Sequence, residues 1–216
     1  ADPSRTPLLP LALGTANMLA GALGIPRDPV VLAELIERGA LRRIDLGLAG
    51  GSRFLGVAGV GFDAMVTEAV RRTRRGTLGY PGYALPILRT LRGYRAPRLR
   101  VTLDDRAPEA CGFLIVAKLP NYGGLFAVTP DARPDSGHLD ACLFRDASFG
   151  GLVRIVWPAW QGRLAVRNDC LVTSAHRIRI ETEDGPPASV QLDGDAWGKT
   201  PVDLSVEARV VPMLVP

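Results

Sequence analysis

Arg177-Ile178-Arg179-Ile180-Glu181, Val190-Gln191-Leu192 and Leu204-Ser205-Val206 alternate polar and apolar side chains, and Gly185-Pro186-Pro187 and Asp193-Gly194-Asp195 separate them. Alternation with period two places one face of a strand in a core and the other in water, and the Gly, Pro and Asp clusters are turn chemistry. The end of the chain therefore reads as antiparallel sheet. Working upstream, Leu139 to Phe144 is another strand, and Gly112 to Lys118 is a nearly continuous apolar run suited to a central strand. Leu99 to Leu103 alternates again and Asp104-Asp105 turns. Ile44, Leu46 and Leu48 alternate up to Gly50-Gly51, and Phe54 to Val60 reads as the returning arm of a hairpin.

Helical spacing is confined to a few places. Met18 to Leu23 is a short helix. Asp28 caps a second that has Pro29 in its first position, Leu32, Leu35 and Ile36 on its apolar face and Gly39 at its end. Phe62, Met65, Val66, Ala69 and Val70 share one face of a third, Tyr83 to Arg92 is a fourth, and Phe149 to Trp160 a fifth. Many short strands with few helices predict a mainly β protein with α insertions, built as a β-sandwich or barrel. The shift from helix-rich to strand-rich sequence places a boundary near Arg43, giving expected units of residues 1–43 and 44–216.

Composition narrows the chemistry. The chain has 216 residues, enough for a sizeable core, and no apolar run reaches the roughly 18 residues that spanning a bilayer requires. Cys111, Cys142 and Cys170 are far apart and lie in strand-like stretches, which predicts buried free thiols in a reducing compartment. His138 and His176 stand alone, so neither a zinc site nor a Ser-His-Asp triad has material. The net charge is +4. No acidic residue falls between Glu68 and Asp104, where Arg71, Arg72, Arg74, Arg75, Arg89, Arg92, Arg95, Arg98 and Arg100 crowd together. Such a field suits an anionic membrane surface, or is a solvated helix face. Nucleic acid is disfavoured, because Tyr80, Tyr83 and Tyr94 form no recognisable stacking motif.

Loops carry the remaining signal. Leu11-Ala12-Leu13-Gly14-Thr15-Ala16-Asn17-Met18 ends an apolar run in a Gly-Thr-x-Asn turn before a helix. Free amides and the positive end of a helix dipole favour an anion there, although an ordinary turn and cap uses the same residues. Gly59-Val60-Gly61-Phe62-Asp63 has its glycines in the wrong order for a dinucleotide fingerprint and suits a close strand-to-helix corner. Asp193-Gly194-Asp195 is by itself a strand-ending turn.

Taken in order, Gly14-Thr15-Ala16-Asn17, Gly59-Val60-Gly61-Phe62-Asp63, Tyr122-Gly123-Gly124 through Gly137-His138-Leu139-Asp140, and Asp193-Gly194-Asp195 resemble the motifs of the diacylglycerol kinase and sphingosine kinase-like lipid kinases, including the bacterial branch. The resemblance runs from about Leu8 to the end. It implies transfer of the γ-phosphoryl of ATP to a lipid hydroxyl, with a β-sandwich lipid-side domain following an α/β nucleotide-binding domain of which residues 1–43 are a remnant. The last strand would be able to return to that first domain. Gly14, Thr15 and Asn17 would contact the nucleotide phosphates, and Asp193 and Asp195 would be the general base and its partner. A structural Mg2+ would be held by carbonyls at Arg133 and His138 and by the residue at Ser136.

Four positions depart from the family pattern: Ala12 replaces Pro, Met18 replaces Asp or Asn, Asp195 replaces Glu, and Ser136 replaces the metal-binding Asp. The last puts the structural metal in question unless Asp135 takes the role. The family's Gly-Gly-Asp-Gly-Thr nucleotide loop is absent from the sequence. The chain is therefore expected to be the lipid-side part of a larger enzyme, inactive alone, cytoplasmic and peripheral at the membrane. Its expected partners are a lipid substrate, the anionic membrane surface through the Arg71 to Arg100 region and the missing nucleotide-binding domain, with a second copy of the chain kept open. The competing readings are a non-catalytic lipid- or membrane-binding sandwich and an NAD kinase-like enzyme, the latter fitting the motifs less well.

Overall fold

A computed structural model describes residues 6–14, 16–73, 94–124, 126–161 and 168–216. Two six-stranded sheets dominate. In the first the order is β2 (Ser52–Phe54), β1 (Leu41–Ala49), β14 (Val202–Leu214), β11 (Arg177–Asp184), β4 (Arg98–Leu103), β5 (Glu109–Cys111). In the second it is β10 (Cys170–Ala175), β9 (Leu139–Phe144), β6 (Phe113–Ala117), β3 (Val57–Val60), β12 (Ser189–Leu192), β13 (Asp195–Lys199). Neighbouring strands pair antiparallel throughout both sheets. A two-stranded ribbon joins β7 (Asn121–Tyr122) to β8 (Phe126–Ala127).

The sheets pack face to face around one core. Leu99, Val101, Leu103, Ile178, Ile180 and Leu204 from the first sheet meet Val60, Leu114, Val116, Leu139, Leu143 and Val190 from the second. The sandwich expected from the alternating strands is the observed architecture. The second sheet is also covered on its outer face: Phe113, Ile115, Cys142, Phe144 and Cys170 pack with Leu152 of α4 (Phe149–Trp160) and with Phe62. The Phe113 and Phe144 rings stack there at 4.2 Å. Burial on both faces is why β6 reads as continuous rather than alternating. All three cysteines are buried and free, as expected.

The short helices form at the predicted places. α1 (Met18–Ala22) and α2 (Pro29–Arg38) join Ile44, Leu46, Val211 and Met213 in a third cluster at one end of β1 and β14. Asp28 caps α2 through Val30 N at 2.8 Å, and Gly39 closes it in the left-handed region with φ 64°. α3 (Phe62–Thr73) follows β3 directly. The predicted helix from Tyr83 to Arg92 lies outside the described residues.

Two expectations are corrected. Gly50-Gly51 does turn β1 into β2, but the chain leaves the ladder after Phe54, and β3 pairs with β6 and β12 in the opposite sheet. Phe54 to Val60 is thus a crossing between sheets, because a strand bounded by Leu55-Gly56 can bury Val57 and Val60 only on the second layer. Ile36, expected inward on α2, is 55% exposed, since Leu35 alone of that helix reaches the cluster fully.

Candidate functional site

The crossing segment between β2 and β3 is the floor on which the motifs meet. Asp193 and Gly194, both at positive φ, make the two-residue turn between β12 and β13. This geometry aims the Asp193 carboxylate back at the crossing. Its Oδ1 accepts the N-H groups of Gly56 and Val57, each at 2.8 Å, and its Oδ2 accepts that of Leu55 at 2.7 Å. Asp193 N-H in turn donates to the Val57 carbonyl at 2.8 Å. Three of the carboxylate's roughly four acceptor positions are therefore filled. The backbone of Asp195, two residues on, pairs with Leu192 across the turn, while its side chain is exposed and makes no hydrogen bond or ion pair among the described residues.

The first motif arrives from the other side. A Cβ placed on Gly56 would lie 2.9 Å from Asp193 Oδ1, 3.4 Å from Leu119 Cδ1 and 3.8 Å from Met18 Cε. Met18 is the first residue of α1, and its Sδ accepts the Gly123 N-H at 3.2 Å. The Gly14 to Asn17 turn, the Gly123-Gly124 corner and the Asp193 turn are thus neighbours in space, although 179 residue numbers separate Gly14 from Asp193. Asn17 sits at φ 46°, with its side chain accepting from Gly14 N-H at 2.7 Å and donating to the Gly14 carbonyl at 2.6 Å. That reciprocal pair fixes the turn. Thr15 lies outside the described residues.

The Gly-Phe-Asp motif completes the ring. Asp63 accepts from Tyr122 Oη through Oδ1 and from Gln191 Nε2 at 2.8 Å through Oδ2, and Gln191 Oε1 accepts the Gly194 N-H at 2.7 Å. A hydrogen-bonded line thus runs from the Tyr122-Gly123-Gly124 corner through the start of α3 to the Asp193-Gly194 turn. Burial raises the Asp63 carboxyl above its ordinary 3.8, against the lowering influence of the Tyr122 and Gln191 hydrogen bonds. Only glycine fits at 59, where a Cβ would stand 1.6 Å from Asp63 Oδ2. Sequence reasoning quoted Asp63 without assigning it a task, and missed Gln191 and Tyr122. The one available signal for Gln191 was a polar residue between two apolar ones, Val190 and Leu192, in a strand that turns out to be covered at that point.

The residues expected to hold a structural Mg2+ have other partners. Ser136 Oγ and the His138 carbonyl both accept from Lys118 Nζ, the former at 2.9 Å. The Arg133 carbonyl accepts the Ser136 N-H at 3.3 Å, while its side chain is exposed. Asp135, the alternative ligand, is bound by Arg42 through Nη2 at 2.8 Å and Nε at 3.0 Å. Burial pushes the Asp135 carboxyl up, but the Arg42 hydrogen bond and charge outweigh it and hold the group below the usual carboxylate range. A magnesium ion needs about six oxygens in octahedral array, including carboxylate. An ammonium already bonded to two of the expected ligands does not fit that requirement. Among the described residues no group of three or more His, Cys, Asp or Glu side chains could hold a metal.

Known proteins share this arrangement of sequence and fold. Residues 56–215 match the family described as the YegS C-terminal NAD kinase beta sandwich-like domain. A diacylglycerol kinase of Bacillus subtilis (strain 168) is 26% identical over 215 residues, which are 99% of this chain and 70% of that protein. A protein of Pseudomonas aeruginosa (strain UCBPP-PA14) named "Probable lipid kinase YegS-like" is 35% identical over 136 residues, 62% of this chain and 44% of the relative. A crystal structure of a diacylglycerol kinase from Bacillus anthracis str. Sterne superposes with a TM-score of 0.69 at 21% identity, over 98% of this chain and 67% of that one, which supports the fold alone. The chain thus spans less than the full length of each relative. With more than half of its residues inside the matched domain, the chain belongs to the diacylglycerol kinase-like lipid kinase family, through the YegS C-terminal NAD kinase beta sandwich-like domain.

Proposed function

We propose that this chain is the acceptor-side part of an ATP-dependent lipid kinase that moves the γ-phosphoryl of ATP to a diacylglycerol-like or sphingoid hydroxyl. The observation that carries the proposal is the meeting of the Gly14 to Met18 turn, the Gly123 corner and the Asp193 turn around Gly56. The resemblance makes Asp193 the general base and Asp195 its partner, but three backbone amides already engage the Asp193 carboxylate, so in this proposal the roles are exchanged and Asp193 fixes the turn and orients its neighbour. Asp195, its side chain exposed and unpartnered among the described residues, takes the proton of the attacking hydroxyl as transfer proceeds. A carboxylate so placed contributes about 10²- to 10⁴-fold. Gly14, Thr15 and Asn17 border the nucleotide phosphates. Mg2+ carried in with ATP supplies charge neutralisation on those phosphates.

In this proposal residues 1–43 end a nucleotide-binding domain whose remainder precedes them. Leu13 (84%), Val30 (67%), Ile36 (55%), Leu41 (53%) and Leu11 (52%), all within the first 41 residues, are exposed apolar side chains that a neighbouring domain would be able to cover. No helix among the described residues is long and apolar enough to cross a membrane, so contact with lipid is proposed to be peripheral. Of the arginine field, Arg71, Arg95, Arg98 and Arg100 are described and exposed, and Arg98 pairs with Glu183 at 2.7 Å.

The experiment joins this chain to the part of the Bacillus subtilis relative that lies outside their match, proposed to be the nucleotide-binding domain, and follows radiolabelled phosphate from ATP into diacylglycerol in mixed micelles. Transfer by the joined protein, and none by the chain alone, is the expected result. A joined, folded protein that transfers nothing to either diacylglycerol or sphingosine rejects the proposal. The second reading, a lipid-binding sandwich without catalysis, draws on the arginine field. It predicts flotation with anionic vesicles and no ATP-dependent product.

A further inference from the structure

Lys118 follows the last residue of β6, and its ammonium is sealed inside the molecule, with 0% side-chain exposure for both Lys118 and its ion-pair partner Asp45. An ammonium has three N-H donors, and three oxygens meet them: Asp45 Oδ2 at 2.6 Å, Ser136 Oγ at 2.9 Å and the His138 carbonyl. Asp45 is held by further partners in turn. Its Oδ2 also accepts the Gly137 N-H at 2.7 Å, its Oδ1 accepts the Arg209 N-H at 2.9 Å, and its own N-H donates to the Pro134 carbonyl at 2.7 Å. Asp45 occupies the irregularity in the β1 to β14 ladder, where the register jumps between Ile44 and Leu46. Four separate pieces of chain, β1, the end of β6, the 133–138 loop and the bulge of β14, are therefore gathered by one buried ion pair.

We infer that Lys118 is a built-in cation that replaces the structural divalent metal of the family, so that the 133–138 loop of this chain is held without Mg2+. The substitution is balanced in charge. Ser136 supplies a neutral hydroxyl where the family resemblance calls for a carboxylate, and the carboxylate that remains, Asp45, is matched by one positive charge rather than two. A divalent ion entering between Ser136 Oγ and the His138 carbonyl would stand within a few ångströms of the ammonium, unscreened by water, and would find both oxygens already engaged. The inference rests on this donor set and stands whether or not the chain transfers phosphate.

Thermal unfolding of the chain in nucleotide-free buffer tests it, with EDTA in one arm and about 10 mM MgCl2 or CaCl2 in the others. An ion bound with a dissociation constant of about 0.1 mM would raise Tm by roughly 5–10 °C. The expected result is coincident melting in all arms, with Mn2+ titrated against the chain remaining free by electron paramagnetic resonance. Lys118→Met is expected to lower Tm equally with and without Mg2+. Lys118→Ala combined with Ser136→Asp vacates the position and returns the carboxylate, and is expected to melt higher in Mg2+ than in EDTA. The wild-type arms need no variant to fold. A wild-type Tm that rises with Mg2+ or Ca2+, bound Mn2+, a Lys118→Met protein as stable as wild type, or a folded double variant indifferent to Mg2+ would each overturn the inference.

Discussion

Substitution of Asp193 separates anchoring from chemistry, because the proposed function gives the two jobs to different carboxylates. Asp193→Asn keeps an acceptor at Oδ1 for the Gly56 and Val57 amides but turns its Nδ2 donor toward the Leu55 N-H, now 2.7 Å from Oδ2. One charge-assisted hydrogen bond is lost and two become neutral. Bonds to charged groups contribute about 1.5–3 kcal/mol and neutral ones about 0.5–1.5. Solvent reaches this exposed turn and moderates the loss, so the low ends apply: one bond of about 1.5 kcal/mol is lost and two weaken by about 1 kcal/mol each, and Asn costs about 3.5 kcal/mol. Asp193→Ala removes all three bonds and costs about 4.5 kcal/mol by the same count. For a chain of this size those values lower Tm by roughly 7–14 °C and 9–18 °C respectively. Asp195→Asn, with no partner to lose, should shift Tm by less than about 2 °C, as surface changes usually do. Thermal unfolding by circular dichroism reads all three. An Asp193→Asn protein that melts with wild type would refute the claim that the carboxylate anchors the crossing segment.

Asp63→Asn tests the buried network through pH. A carboxyl whose folded pKa lies above its unfolded value binds more protons when folded, so its contribution favours folding at low pH and is lost as pH rises from about 3.8 through the raised folded value. Wild-type Tm minus variant Tm should therefore fall as pH increases across that window, and a flat difference would show that Asp63 is not held protonated by burial. Gly59→Ala forces a Cβ to within 1.6 Å of Asp63 Oδ2 and should destabilise by about 3 kcal/mol or more, measured by denaturant unfolding. In an Asp63→Ala background the same change should cost measurably less, with the contact to Gln191 Nε2 at 2.8 Å remaining. Leu13→Asp with Ile36→Asp should leave the chain's own Tm within about 2 °C of wild type while weakening its association with a separately expressed nucleotide-binding domain, read by calorimetry.

Local chemistry explains which features were legible in the sequence. Asp28, Pro29 and Gly39 mark α2 because capping, φ restriction and the left-handed end act within a few residues. β4 and β11 alternate because each has one wet face, while β9 and β12 are buried at nearly every position and β6 at all of them, because α4 and Phe62 cover its far side. The fate of Phe54 to Val60 was not legible. An apolar run after a Gly-Gly turn satisfies either sheet, and only the placement of β6 and β12, distant in sequence, decides between them. Ion pairs are equally non-local. Asp45 and Lys118 are 73 residues apart, each inside a run read for its apolar neighbours. The motifs themselves were visible, but their meeting at Gly56 depends on Met18, whose side chain a sequence pattern records only as a departure from Asp or Asn.

The most direct measurement of the central claim is the rate of phosphate transfer to diacylglycerol by Asp195→Asn in the chain joined to a nucleotide-binding domain, alongside its Tm. If the four converging motifs form a phosphotransfer site, turnover should fall about 10²- to 10⁴-fold with stability unchanged. A variant that turns over at the wild-type rate would contradict the account.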